Sequence, residues 1–469
     1  MKTKIMPALL AIALLGSLTA CGNSLPSGES GSQPAAGNDA SESSSVSEAP
    51  VQPEEEMAPF TGSATLEETV LVDEGGVKIT ATGLTYTAYS VDLDLTIENN
   101  SGKDLTFISG SLGYGCNSVN GYMMDGGYLN CDVANGKMAN DSISFNHDDL
   151  LLCGIREIAD MEIAIQMTDD EYNNTYSGPR SLRTSAADTY DYGTDSYSQT
   201  ITSQAAMNTY GYEMMQFEEA ASYDQNGLRL LSSAVVRNRN GEIALLLELE
   251  NTTDSTVYVA TSDIRINGLV VNSSLWSSDA INPGKRRIVE IALSSVLDSS
   301  CWDAYGISEP GTISLSIAQY NEQGALLTQE TPVEIVVPDM QTGFDAEGTE
   351  VYNKNGLRIV AKTVQEGASD YSNDLYLLLL AENNSGKTIS INDDYGSLSV
   401  NGVMTDYSFY GQELANGEAA ALVIRLWENS LEENQITSAA DVQEIEMSFD
   451  IREGYTTIDE PVVTIAPNG

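Results

Sequence analysis

Asn355-Gly356-Leu357-Arg358-Ile359, a turn that opens directly into a strand, is the third occurrence of one pattern. Gly75-Gly76-Val77-Lys78-Ile79 and Asn226-Gly227-Leu228-Arg229-Leu230 are the first two. The stretches downstream of these turns repeat as well. A long strand ends in Glu98-Asn99-Asn100-Ser101-Gly102-Lys103, in Glu250-Asn251-Thr252-Thr253 and in Glu382-Asn383-Asn384-Ser385-Gly386-Lys387, turn chemistry with Asn or Gly available for positive φ. An Asn-Gly pair comes next, at Asn120-Gly121, Asn267-Gly268 and Asn401-Gly402, flanked by apolar residues as a tight hairpin requires. A second turn, at Asn135-Gly136, Pro283-Gly284 and Asn416-Gly417, lies 15, 16 and 15 residues further on.

After that turn each copy carries an alternating strand, a short segment able to make one or two helical turns (148–158, 294–305 and 428–440), and a closing strand. That makes about seven short strands in about 120 residues, with no long amphipathic helix. The predicted fold is all-β, and each module resembles an immunoglobulin-like β-sandwich in architecture, without the cysteine and tryptophan framework of antibody domains. A barrel of similar strand count is the competing fold. The expected organisation is a leader over 1–20, a disordered segment over 21–63, sandwiches over 64–190, 216–338 and 346–469, a Tyr/Ser-rich linker over 191–215 and a short link over 339–345. Tyr192, Tyr197, Tyr210 and Tyr212 give the longer linker a rival reading as an adhesive surface. The shorter link predicts that the second and third modules are held more rigidly than the first pair.

The chain of 469 residues has 69 acidic and 21 basic side chains, one histidine and a formal charge of -48. Such a balance disfavours polyanions, so nucleic acid is excluded as a partner. Lys2 and Lys4 precede an uncharged run from Ile5 to Ala20, too short for an ordinary membrane-spanning helix and suited to a secretory signal. The run ends in Leu18-Thr19-Ala20-Cys21, which resembles the lipobox of bacterial lipoproteins. That resemblance covers only the leader. It implies a diacylglyceryl group on the Cys21 thiol, at least two acyl chains such as palmitate, and anchorage on the extracytoplasmic face of a cell membrane. No Lys or Arg lies between Lys4 and Lys78, and the Ser, Gly, Pro and Glu composition of this stretch reads as a flexible tether.

One difference between the copies points to a contact. In the first long strand Val91, Leu93, Leu95 and Ile97 alternate with Asp92, Asp94, Thr96 and Glu98, giving one core face and one wet face. The second keeps Ile243, Leu245, Leu247 and Leu249 inward, but its other face reads Ala244, Leu246, Glu248 and Glu250. In the third that face is Tyr376, Leu378, Leu380 and Glu382. A solvated face has no need of Tyr-Leu-Leu, so Tyr376, Leu378 and Leu380 are a candidate interaction face. It is covered by the chain's own C-terminal segment, by the neighbouring module or by a partner.

Signals for chemistry are sparse. His147 stands alone in an Asn-His-Asp-Asp turn, and no Cys-x-x-Cys, nucleophile elbow, phosphate loop or dinucleotide fingerprint occurs. Asp224-Gln225-Asn226-Gly227 matches part of a calcium loop and reads more simply as a hairpin turn. Neither a cofactor nor a metal is predicted. Cys116 and Cys131 flank the first Asn-Gly hairpin and are read either as a disulfide or as two free thiols, while Cys153 and Cys301 fall in matching helical segments as small buried residues. The sequence therefore predicts a membrane-anchored, non-catalytic binding or adhesion protein with an unidentified extracellular or envelope ligand. A spacer or accessory subunit of an envelope complex is the alternative. A solute-binding lipoprotein and an enzyme are the remoter readings.

Overall fold

Each long strand, Ser90–Asn99, Ile243–Asn251 and Leu375–Asn383, is the spine of a sheet, paired antiparallel on both sides. One neighbour is the opening strand, Val77–Tyr86, Leu228–Asn238 or Leu357–Glu366. The other is a return strand, Lys137–Asn146, Arg286–Ala292 or Ala419–Leu426. A bulge interrupts the opening ladder in all three, between Ala81 and Gly83 and between Ala361 and Thr363 at equivalent places, and nearer the opening turn in the second module, between Leu230 and Ser232. The second sheet of each module is built on a closing strand, Asp160–Asp169, Thr312–Tyr320 or Ile445–Glu453. The protein is thus all-β, with three tandem sandwich modules, in a computed structural model that describes residues 55–110, 117–219, 223–367 and 372–467.

The Asn that ends each long strand fixes the corner between the sheets. Asn99, Asn251 and Asn383 are fully buried. Asn99 Nδ2 donates to the carbonyls of Lys103 (2.8 Å) and Val133 (2.7 Å), and its Oδ1 accepts from the Ser101 amide at 3.0 Å. Asn251 makes the same bonds to Ser255, Ile281 and Thr253, and Asn383 to Lys387, Leu414 and Ser385. The second turn closes on the same residues: the amides of Gly136, Gly284 and Gly417 donate to the carbonyls of Asn99, Asn251 and Asn383. One amide side chain therefore ties the end of the long strand to two further segments, satisfying backbone groups of the turn that follows it and of the strand before the second turn.

The Asn-Gly hairpins are pinned as regularly. Asn120, Asn267 and Asn401 have φ of 47°, 53° and 51°, and the glycines after them also have positive φ, as a two-residue hairpin turn of the primed type demands. Each Asn Oδ1 accepts from two consecutive amides at the start of the closing strand, as Asn120 does from Ala159 (2.8 Å) and Asp160 (3.2 Å). Asn267 binds Gly311 and Thr312 this way, and Asn401 binds Gln443 and Glu444. The short strand leaving the turn, Tyr122–Met123, Leu269–Asn272 or Val403–Met404, is called the tip strand below.

The modules are not separate beads. The strands form sheets of 4, 11, 10 and 7, because the second sheet of one module runs on into the first sheet of the next. The link is a parallel pairing of tip strand to return strand: Tyr122 with Arg286, then Leu269 and Val270 with Ala419 and Ala420. Both junctions are of one kind, whatever the length of the link between the modules.

Two expectations about linkers need correction. The stretch 191–215, read as a linker, instead holds helices α1 (Tyr197–Ile201) and α2 (Gln204–Tyr210), with Tyr197, Ile201, Ala206 and Tyr210 buried. Ser196 and Ser203 cap them, accepting from the Gln199 and Ala206 amides. Part of the segment expected to be disordered over 21–63 is ordered, since Phe60 packs on the first core and stacks on His147 at 4.7 Å. The Ser63 amide donates to Glu157 at 2.9 Å, and Met57 and Glu55 bond to Thr209 and Asn208. Cys21 lies outside the described residues.

Replacing Asn251 by Ala leaves the buried Ile281 carbonyl and the part-buried Thr253 amide without this partner, so a loss of about 2 kcal/mol is expected. Chemical denaturation of Asn99→Ala, Asn251→Ala and Asn383→Ala checks this, with similar losses predicted at all three equivalent sites.

Candidate functional site

The predicted face on the third long strand is buried against the second module. Leu378 and Leu380 are fully buried and share one core with Leu245, Leu297, Trp302 and Tyr305, while Tyr376 packs at its edge. The covering residues come from the short helical segment of the second module, here the 3-10 turn Ser299–Tyr305. Tyr305 reaches across to donate its hydroxyl to the Leu379 carbonyl at 2.9 Å, and Gln365 Nε2 donates to the Ser300 carbonyl at 2.7 Å. Of the three covers foreseen, the neighbouring module is the one found.

The same logic operates one module earlier. Leu246 and Ala234, on the outer face of the second module, belong to the first module's core together with Tyr197 and Ile201 of α1. A cleft of about 510 Å³, open to solvent, remains there between Leu152, Tyr197, Ile201, Tyr212, Val236 and Leu246. At this junction the scarce cations are concentrated in Lys285-Arg286-Arg287. Lys285 Nζ is 3.0 Å from Glu162 and Arg287 bonds Asp125 and Asp279. Arg286 donates to the Tyr122 hydroxyl at 3.1 Å and lies 5.7 Å over its ring. Glu248, 3% exposed, is held by Arg286 at 3.6 Å and by the hydroxyls of Ser198 (3.0 Å) and Ser232 (2.9 Å). The second junction has Arg265 on Glu418 at 2.6 Å. Three of these ion pairs, Lys285 with Glu162, Arg287 with Asp125 and Arg265 with Glu418, cross between modules, whose surfaces otherwise repel.

Unlike these joints, the tip strand of the third module pairs with no return strand among the described residues, and only Asn434 Nδ2 of its own module reaches the Met404 carbonyl, at 3.5 Å. Val403 and Met404 are 46% and 59% exposed, whereas their counterparts Tyr122, Met123, Leu269 and Val270 are buried. Elsewhere on the third module Tyr395, Tyr410 and Trp427 are also exposed. They are carried on loops tied together through Tyr407, whose hydroxyl donates to Asp393 at 2.6 Å, and through Trp427 Nε1 donating to Ser408 at 3.5 Å. The sequence does not single out Val403 and Met404 as functional, although a signal is present in it: they come after the third Asn-Gly pair, where the two other copies have buried apolar residues.

The remaining predicted positions are structural. His147 begins a one-turn helix rather than a bare turn, half-buried beneath Phe60. Asp224 and Gln225 form the hairpin read from the sequence, with Asn226 and Gly227 at positive φ. Among the described residues no group of three or more His, Cys, Asp or Glu is placed to hold a metal ion. Cys131, Cys153 and Cys301 are buried thiols, and burial pushes Cys131 up to about 11 and Cys301 up to about 12. Cys116, the candidate disulfide partner of Cys131, lies outside the described residues.

No protein-family profile matches the chain, and no curated protein does. Among solved structures, a 1.5-MDa bacterial ice-binding adhesin involved in host cell surface retention is 10% identical, over 80% of this chain and 90% of that one, with a TM-score of 0.14. Escherichia coli alpha-2-macroglobulin activated by porcine elastase is 9% identical, over 85% of this chain and 35% of that one, at 0.14. The BSP domain of a biofilm associated protein is 10% identical, over 89% and 68%, at 0.11. Scores at this level reflect shared β-strand content and not a common arrangement of the whole chain.

Two predictions arise from the junctions. Leu378→Glu buries a charge in the core shared by the second and third modules, and a loss on the order of 4 kcal/mol or more is expected. Unchanged melting and solubility would show that this face is not buried. The second concerns pH. Burial raises Asp149 to about 6, helped by Asp125 and Asp148, and burial raises Asp195 to about 6, beside the first tip hairpin. A carboxyl raised in the folded state holds its proton better there than in the unfolded chain. Stability from these two groups is therefore present at acid pH and falls as pH rises from about 4 to about 6, on the order of 1 to 3 kcal/mol each. Melting is expected at higher temperature at pH 5 than at pH 7.5, and Asp149→Asn with Asp195→Asn should flatten that difference.

Proposed function

We propose that this protein is a lipid-anchored, extracytoplasmic binding protein that acts by adhesion and not by catalysis. The observation that carries this reading is the set of exposed side chains on the third module, Tyr395, Val403, Met404, Tyr410 and Trp427. Tyr and Trp give large contact area with few rotatable bonds, and these rings do not serve the core. The module bearing them is two junctions away from the described start of the chain at Glu55. The lipobox-like Leu18-Thr19-Ala20-Cys21 supplies the anchor in this reading, with a base-free tether between it and the first module. Interlocked junctions would hold the third module at a fixed disposition to the first.

A second reading, a spacer or accessory subunit of an envelope complex, draws on the same interlocking. An array of glycans and extracellular-matrix proteins probed with the full chain tests the first reading. Binding that falls at least tenfold in Tyr410→Ala and Trp427→Ala, with unchanged melting, is the expected result. Crosslinking in intact cells that captures an envelope protein, with no signal on the array, would favour the second.

A further inference from the structure

Each junction joins two half-sites, and among the described residues one of each is left over. The donor half is a tip strand; the acceptor half is the start of a return strand. The first and second modules use their tips, and the second and third use their return strands. Among the described residues, the tip of the third module and the return strand of the first have no such pairing. We propose that these two ends bind one another between copies of this chain, giving head-to-tail association that repeats the internal junction.

The repeat identifies which residues would meet. At the first junction Arg286, third after Pro283, pairs with Tyr122, second after Asn120. The corresponding residues at the free ends are Met138, third after Asn135, and Val403, second after Asn401. Both are apolar and exposed, at 62% and 46%. The flanking ion pair also has its counterpart. Lys285 meets Glu162 at 3.0 Å. Lys137 holds the place of Lys285, and Glu446 holds that of Glu162, since Glu162 pairs with Ser118 and Glu446 pairs with Ser399 in the two hairpins. Lys137 and Glu446 are both exposed.

The edges are also open where they need to be. The far half of the first return strand is occupied by its own module, with the Gly127 amide on the Ser144 carbonyl at 2.9 Å. The third module covers the far half of its return strand in the same way, with Tyr407–Phe409 on Ile424 to Leu426. Its near half, Ala419 and Ala420, is the part given to the second module's tip. The near half of the first return strand, Lys137 and Met138, pairs only with its own long strand among the described residues.

What differs is the surface behind the strands. The first module presents Asp92, Asp94 and Glu98 there, and the third module's helical segment presents Glu428, Glu432 and Glu433, in place of the apolar contacts of the internal junctions. Acidic faces repel, and salt screens the repulsion, so the association is weak and strengthens with ionic strength. A heterologous contact of this kind need not close, so chains longer than dimers form as concentration rises.

Sedimentation velocity on the full chain, in 0.15 M and 0.5 M NaCl, provides the test. Concentration-dependent association is expected, and both Val403→Asp and Met138→Asp should weaken it at least tenfold while leaving melting unchanged. Mixing the two variants gives the decisive arm. Val403→Asp retains a good return strand and Met138→Asp retains a good tip, so the mixture should form one-to-one dimers and nothing longer. Monomers alone for the wild type at both salt concentrations would overturn the proposal. So would association undiminished in either variant, or a mixture that stays monomeric.

Discussion

Everything beyond the single sandwich depends on one constraint: the outer face of each following module is apolar and must be covered by the module before it. Burying a side chain such as Leu378 or Leu380 contributes about 2 kcal/mol relative to exposure. Neither module can hold these side chains away from water alone. The helical segment between the return and closing strands, an ordinary connection in an isolated sandwich, becomes the cover. In the second module Trp302 and Tyr305 lie there, and at the first junction Tyr197 and Ile201 of α1 contribute the same service from the inserted segment. The two ends of the array have the opposite character, with Asp92, Asp94 and Glu98 at one and Glu428, Glu432 and Glu433 at the other.

Charge is distributed to the same end. A chain of -48 repels itself, and contacts between its parts need cations at the points of contact. Lys285, Arg286 and Arg287 place three of the 21 bases in sequence at the first junction, facing Glu162, Tyr122, Glu248 and Asp125. Arg265 does this at the second. Pairs in these half-buried positions contribute more than exposed surface pairs, and they also fix the register in which tip strand meets return strand.

Much of this architecture is legible in the sequence, for physical reasons that can be named. The period-2 alternation from Val91 to Ile97 requires a half-buried strand, and the Asn-Gly pairs require positive φ that the structure supplies. The loss of polarity from Asp92-Asp94-Thr96 to Tyr376-Leu378-Leu380 marks the buried face in the sequence itself, and leaves open only what covers it. The repeated terminal Asn reads as turn chemistry, and its role as a buried bracket across three segments emerges only with the neighbouring sheet in place. Other features give weaker signals. Helices α1 and α2 are each under two full turns and lie in Ser, Thr and Asp-rich sequence, where propensity favours a linker; only the i, i+4 spacing of Tyr197 with Ile201 and of Ala206 with Tyr210 marks them. The continuity of sheets rests on parallel pairings one or two residues long, too short for any periodicity. The vacant tip at Val403 and Met404 becomes meaningful only once its two counterparts are seen to be occupied.

An interlocked array differs from a string of independent domains in a way that a single fragment can reveal. The third module cut free, residues 346–469, would expose Tyr376, Leu378 and Leu380 to water. Its thermal unfolding, set against that of the same module within the full chain, tests the dependence directly. The account predicts that the fragment melts at a markedly lower temperature or self-associates through this face. A monomeric fragment that melts where the full chain does would contradict it.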